Sequence, residues 1–108
     1  MIIDRKTEGD FLQFLVNGEV NISNAAFLRK EAEQAILAGS FKILVDLEKV
    51  QYMDSSGVGT LVHIQQLLEN HKGILHLRNV SESIRKLFEK MLCFRTDTGV
   101  WAYKYSST

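Results

Sequence analysis

The sequence predicts an α/β fold, a small mixed and mostly parallel β-sheet of four to five strands packed with three to four helices. Two short apolar runs are typical of buried strands, Lys42–Leu47 and Ile74–Arg78. Amphipathic segments of helical period lie before, between and after these runs. Strands that alternate with helices favour parallel pairing, and a hairpin at the start of the chain adds an antiparallel edge.

The composition is that of one ordinary globular domain, which we expect to span residues 1–108. Apolar residues make up 45% of the chain and charged residues 24%, which is enough for one core. Thirteen basic and thirteen acidic residues cancel, so the charge balance does not predict nucleic acid or an anionic membrane as a partner. No apolar run approaches the roughly 18 residues of a membrane span, so direct membrane insertion is not expected.

The cysteine content and the first residues both favour an intracellular protein. Cys93 is the single cysteine, so no internal disulfide can form and a reducing compartment is the simplest interpretation. The opening "MIIDRKTEGDF" lacks the basic and apolar regions of a signal peptide. We therefore expect a cytoplasmic location.

The first hairpin and the first helix are marked by turn and cap residues. The strands Ile2–Lys6 and Phe11–Val16 flank the turn residues "TEGD", and Gly18 is expected to close the second strand. The helix in "SNAAFLRKEAEQAILAG" is expected to take Ser23 or Asn24 as its N-cap and to stop at the glycine that follows. Its apolar residues recur at helical spacing and predict a buried stripe of Ala25, Leu28, Ala32, Ala35 and Ile36.

Two further helices follow the central strand. A loop, Val50–Ser55, leads into a helix from Ser56 to about Lys72, which Gly73 ends. A third helix lies in "NVSESIRKLFEKML" with Ser81 as its N-cap. In the last stretch "FRT" is a candidate edge strand, and "VWAYKY" fits either a strand or the start of a short helix.

The stretch "VQYMDSSGVGTLV" places a carboxylate and two hydroxyls at a helix start. The simplest interpretation is that Asp54, Ser55 or Ser56 caps the helix and that Gly57 and Gly59 allow close packing. A sharper interpretation is a modification site, because a helix N-terminus favours anions. A phosphate there would add about −1.5 to −2 charges to the surface without disrupting the fold.

This segment, "ILVDLEKVQYMDSSGVGTLVHIQQLL", closely resembles the centre of STAS domains, the anti-sigma factor antagonists of bacterial partner-switching systems. The family pattern is an apolar strand ending in aspartate and leucine, here Asp46 and Leu47, and then Asp-Ser-Ser/Thr-Gly opening a helix, here Asp54–Gly57. "NGEVN" resembles the turn before the family's first helix, and "SESIRKLFEKM" resembles its third helix. The resemblance covers about residues 2–91.

The resemblance implies a non-enzymatic binding switch. Family members bind an anti-sigma factor that is also a serine kinase of the HATPase type, and phosphorylation of the serine after the aspartate releases it. That position is Ser55, with Ser56 as the alternate, and a serine phosphatase would reverse the modification. The kinase would supply ATP and Mg²⁺, since this chain shows no cofactor site of its own. We expect the partner surface to comprise Asn21, Ser23, Asp54, Ser56 and Gly57, together with the exposed part of the first helix.

Two departures from the family pattern affect this interpretation. Asn21 stands where the family often has an acidic residue, and the C-terminal stretch is short and aromatic where the family has a helix rich in Glu and Ala. Relatives also include modules of transporters, lipid-trafficking complexes and scaffolds. An unphosphorylated interaction module of that kind is therefore the alternative function.

Other chemistries fit the sequence poorly. A serine hydrolase elbow needs glycine where this chain has Met53, and His63 lies too far along the helix from Ser56 to act as its base. "GVGT" lacks the lysine of a phosphate-binding loop. His63, His71 and His76 do not have metal-ligand spacing, so no metal site is expected.

Overall fold

The computed structural model describes residues 1–91, 94–96 and 101–103, which form six strands and three helices. The elements follow in the order β1 (Ile2–Glu8), β2 (Phe11–Val20), α1 (Ala25–Leu37), β3 (Lys42–Met53), α2 (Ser55–Glu69), β4 (Ile74–Arg78), α3 (Glu82–Met91), β5 (Phe94–Thr96) and β6 (Trp101–Tyr103).

The strands form one mixed sheet in the order β1-β2-β3-β4-β6-β5. The central pairs β2–β3 and β3–β4 are parallel, and the outer pairs are antiparallel. The predicted fold class is confirmed, and "FRT" is the edge strand β5. The sheet has one strand more than the expected maximum, because "VWAYKY" contributes the three-residue strand β6 rather than a helix.

The strands β2 and β3 both continue beyond their predicted ends. Gly18 was expected to close β2, and Val50–Ser55 was expected to be a loop, yet β2 reaches Val20 and β3 reaches Met53. The two extensions pair with each other through register shifts on either side of Gly18, whose φ of +110° favours glycine. The extension brings the ends of β2 and β3 together beside the start of α2.

The core lies between one face of the sheet and the helices. The buried residues of α1 are the five of the predicted stripe. The predicted side-chain cap of α1 is wrong, because Asn24 occupies the cap position without a capping hydrogen bond and donates its Nδ2 to the Glu19 carbonyl instead. The predicted cap of α3 is confirmed by the hydrogen bond from the Ile84 amide to Ser81 Oγ, 3.3 Å.

The central strand β3 buries side chains on both of its faces. Leu44 and Asp46 are 6% and 5% exposed but point away from the helix-side core, since side chains alternate along a strand. The Asp46 carboxylate accepts hydrogen bonds from Gln13 Nε2 at 3.3 Å, Asn79 Nδ2 at 3.1 Å and the Glu48 amide at 2.9 Å. These donors satisfy a buried charge that would otherwise be costly.

Two contacts between the first hairpin and β4 cover this second face of β3, and we call them the roof. The Phe11 and His76 rings stack with centroids 5.0 Å apart, and Arg78 Nη1 donates to Glu8 Oε2 at 2.9 Å. Both contacts span β3, which lies between β2 and β4. Burial lowers the pKa of His76, and the hydrogen bond with Glu8 raises the pKa of Arg78.

Candidate functional site

The amino-terminal end of α2 is closed by a carboxylate. Asp54 is the N-cap, and its Oδ1 accepts hydrogen bonds from the amides of Ser56 at 2.9 Å and Gly57 at 3.3 Å. The Asp54 carbonyl accepts from Gly57 at 3.0 Å and from Val58 at 3.3 Å. The amides of Ser56, Gly57 and Val58 are therefore already engaged, so Asp54 takes the place that an external anion would occupy at this helix end.

The same carboxylate ties α2 to the connection between β2 and α1. Asp54 Oδ2 accepts a hydrogen bond from the Ile22 amide at 3.3 Å, and the Asp54 amide donates to the Val20 carbonyl at 3.1 Å. Residues 21–24, which we call the β2–α1 loop, are thereby held against the start of α2. Positions 32 residues apart in the chain form one continuous surface.

The two serines differ in exposure. Ser55 is the first residue of α2 and is exposed, whereas Ser56 is half-buried. No described residue forms a hydrogen bond with the Ser55 hydroxyl. The structure therefore presents Ser55 as the more accessible hydroxyl of the pair.

The predicted partner-contact role of Gly57 conflicts with its position. Gly57 is buried, and a Cβ at this residue would lie 2.5 Å from Met53 Cγ and 2.9 Å from Val20 Cγ1. Its missing side chain therefore allows α2 to pack on the extended ends of β2 and β3. Gly57 therefore lies beneath the candidate partner surface and not on it.

The other predicted contact residues lie in the β2–α1 loop. Asn21 is half-buried, and its Oδ1 accepts a hydrogen bond from the Ser23 amide at 2.9 Å, so its side chain shapes the loop. Ser23 is exposed. Between them Ile22 is 80% exposed, which leaves an aliphatic side chain in solvent on the loop whose backbone contacts Asp54. The structure thus brings Asn21, Ser23 and the start of α2 together.

The described residues offer no metal centre. Within ranges 1–91, 94–96 and 101–103, no three His, Cys, Asp or Glu side chains group closely enough to hold an ion. The His71 ring instead stacks on Phe41, and the His63 ring lies 3.4 Å from Glu33 Oε2. No helix in the described part of the chain is both long and apolar enough to cross a membrane.

Comparisons with known proteins agree with this architecture. The family model described as the STAS domain matches residues 3–97, most of the chain. The chain belongs to the STAS domain family. An anti-sigma-B factor antagonist of Staphylococcus aureus is 32% identical over 87 residues, which are 81% of each chain.

Two solved structures are also similar to this STAS domain. The anti-sigma factor antagonist SpoIIAA in its unphosphorylated form superposes with a TM-score of 0.69 at 27% identity, over 82% of each chain. The Bacillus SpoIIAA in its phosphorylated form superposes with the same TM-score at 26% identity, over 83% of each chain. The recognition of the anti-sigma factor antagonist family from the sequence is thus confirmed.

Two exposed positions of this STAS domain were not among the predicted site residues. Ile22 is an isolated apolar residue between polar neighbours, outside the periodic pattern of any element, and such a residue signals exposure. Gly59 is exposed on α2, opposite the buried residues Val58 and Leu61. The helical phase set by those apolar residues would have placed Gly59 on the outer face.

Proposed function

We propose that this STAS domain is a phosphorylation-controlled antagonist, which binds an anti-sigma factor when Ser55 is unmodified and releases it when Ser55 is phosphorylated. The exposed Ser55 hydroxyl, on a helix end fixed by Asp54, is the observation that carries the proposal. The relative from S. aureus is named an anti-sigma-B factor antagonist, and SpoIIAA has been solved in unphosphorylated and phosphorylated forms. These names support the assignment of both the antagonist role and the modification.

The position of Ser55 allows a change of charge without a change of fold. Because the residue is exposed, no buried side chain has to move when its hydroxyl is phosphorylated. The phosphate would add about −1.5 to −2 charges next to the Asp54 carboxylate. A partner seated on this surface would have to desolvate both anions, so the complex would weaken.

The partner surface in this proposal comprises the β2–α1 loop and the first turn of α2. It includes Asn21, Ser23, Asp54 and Ser56 from the predicted set, and it adds the exposed Ile22. The partner is an anti-sigma factor with serine kinase activity of the HATPase type, which brings ATP and Mg²⁺ with it. A serine phosphatase restores the binding form. The STAS domain acts in the cytoplasm as a binding protein and not as an enzyme.

Phosphate mapping in native cells tests the site itself. We expect phosphate on Ser55 in the wild-type chain and in Ser56→Ala, because Ser56 is half-buried, and none in Ser55→Ala. Peptide mass spectrometry with full coverage of residues 50–66 measures this. Phosphate retained in Ser55→Ala but absent from Ser56→Ala would move the switch to Ser56. No phosphate under any growth condition would favour the unphosphorylated transporter, lipid-trafficking or scaffold module instead.

Binding measurements test the consequence of the charge. Ser55→Asp should bind the cognate anti-sigma kinase at least about tenfold more weakly, since charged groups at an interface have effects of this size. Ser55→Ala should keep the affinity of the unphosphorylated wild type even in the presence of ATP, because it cannot be phosphorylated at this position. Calorimetry gives both affinities, and circular dichroism controls for the fold. Equal affinity of Ser55→Asp and the wild type would refute the charge mechanism.

A further inference from the structure

The two glycines near the start of α2 have opposite surroundings. Gly57 is buried against Met53 and Val20, so packing explains why it has no side chain. Gly59 is exposed, and apart from its chain neighbours and the backbone of its own helix, no described heavy atom would lie within 4 Å of a Cβ there. Its φ is not in the left-handed region either, since the positive-φ glycines of the described chain are Gly9, Gly18 and Gly39.

Neither packing nor backbone conformation therefore requires glycine at position 59. Glycine inside a helix is nonetheless less stable than alanine, because it loses more backbone entropy on folding. Gly59 lies in the second turn of a 15-residue helix, away from both ends. Glycine at this position therefore lowers the stability of the helix, and no contact within the described chain compensates for that loss.

The position of Gly59 indicates why the absence of a side chain is useful there. Gly59 follows Ser55 by four residues, so the two residues lie on the same face of α2, with Cβ positions about 5–6 Å apart. Side chains on a helix lean toward its N-terminus. A side chain at position 59 would therefore stand over the Ser55 hydroxyl, on the side from which another protein must reach it.

We infer that the absence of a side chain at Gly59 keeps open the approach of the kinase that phosphorylates Ser55. The inference rests on the proposed function, because a kinase that transfers a phosphoryl group must bring its nucleotide into contact with Ser55 Oγ. The face made by Ser55 and Gly59 leaves space for the kinase surface to lie directly on the helix backbone. A larger side chain at position 59 obstructs this approach while leaving the fold intact.

The test compares Gly59→Leu with Gln66→Leu. Gln66 is exposed on the same face of α2, seven residues further along and about 10 Å from Gly59 on the helix axis. Each purified, unphosphorylated full-length chain is added to a lysate of the native cells with Mg²⁺ and ATP. Peptide mass spectrometry then gives the initial rate of Ser55 phosphorylation, and thermal melting gives the stability.

We expect Gly59→Leu to melt at or above the wild-type temperature and to be phosphorylated at least about tenfold more slowly, as a steric clash at an interface predicts. Gln66→Leu should be phosphorylated at the wild-type rate. Gly59→Ala should raise the melting temperature and keep most of the rate, since a single methyl group is small.

A wild-type rate for a folded Gly59→Leu would overturn the inference. An equal loss in Gln66→Leu would also overturn it, because the effect would then belong to the whole face. If the wild-type chain gains no phosphate on Ser55 in the lysate or in cells, the proposed function itself fails and the inference fails with it. That outcome can be distinguished from a failure of the inference alone, because it is measured on the wild-type chain and not on a variant.

Discussion

The two ends of α2 differ in what they offer to solvent. At the amino-terminal end a hydroxyl and an aliphatic side chain, Ser55 and Ile22, are exposed on a backbone fixed by Asp54. At the carboxyl-terminal end the Gly73 amide donates to the Leu68 carbonyl at 2.7 Å, and the His71 ring stacks on Phe41 at 4.6 Å. The first end keeps its surface clear and its backbone rigid, as a docking site requires. The second end uses close contacts to join a helix to a strand.

Gly73→Ala should have the largest effect on stability. A Cβ at Gly73 would overlap the Phe41 carbonyl oxygen and lie 3.1 Å from the Leu68 carbonyl oxygen, and neither backbone atom can move aside as a side chain could. We expect the free energy of unfolding to fall by about 1–3 kcal/mol. Urea denaturation measures the loss, and Gly59→Ala is the control, which should gain up to about 1 kcal/mol. Equal stability of the two variants would contradict the assigned difference between these glycines.

Asp54→Ala should lower both stability and phosphorylation. The substitution removes the acceptor used by the amides of Ser56, Gly57 and Ile22, so the unfolding free energy should fall by about 0.5–2 kcal/mol. Rates of Ser55 phosphorylation should fall too, because the β2–α1 loop is released.

Ser81→Ala is the matched control for this prediction, since it removes the hydrogen bond with which Ser81 Oγ caps α3. It should cost stability within the same range of about 0.5–2 kcal/mol and leave the phosphorylation rate of Ser55 unchanged. If both variants slow phosphorylation equally, the Asp54 effect reflects lost stability and not the position of the loop.

Substitution of two exposed apolar residues should have the smallest effect on stability. The two variants should nevertheless differ clearly in their binding of the anti-sigma kinase. Ile22 and Leu37 are 80% and 87% exposed, so Ile22→Ser and Leu37→Ser should each change the unfolding free energy by no more than about 0.5 kcal/mol. Only Ile22→Ser should weaken binding of the anti-sigma kinase, because Leu37 lies at the far end of α1. Calorimetry measures both affinities. Weaker binding by Leu37→Ser would contradict the proposed surface, because it would place the partner over the carboxyl-terminal end of α1.

Most of the fold could be predicted from the spacing of apolar residues in the sequence. The buried stripe of α1 and both bounds of Ile74–Arg78 were correct, because they depend on local periodicity. The extensions of β2 and β3 were missed, since glycine and charged residues interrupt the alternation there. Apart from the pair Ile2–Asn17, these residues form strands through their pairing with each other across 30 and more residues. The roof was missed for the same reason, as no local pattern relates Phe11 to His76.

The candidate site shows a similar division between local and tertiary information. The resemblance singled out Ser55 and Asp54 as candidates, because the motif is contiguous. It could not distinguish the inward Gly57 from the outward Gly59, since the motif does not state the helical phase. It also gave no sign that Asp54 reaches Ile22, a contact that depends on the tertiary fold. The predicted anion site is closed by a separate and local contact, in which Asp54 Oδ1 accepts from the amides of Ser56 and Gly57.

The roof has a consequence for the order in which the molecule folds. The Glu8–Arg78 contact closes a loop of 70 residues, and distant contacts of this kind form slowly because chain entropy opposes them. The hairpin β1–β2 and the turn from Asp54 into α2 depend on contacts closer in sequence, so they can form earlier. Substitutions in the roof should therefore speed unfolding more than they slow folding. We expect the face of the sheet beneath the roof to be completed after the surface around Ser55, whose contact between Ile22 and Asp54 spans only 32 residues.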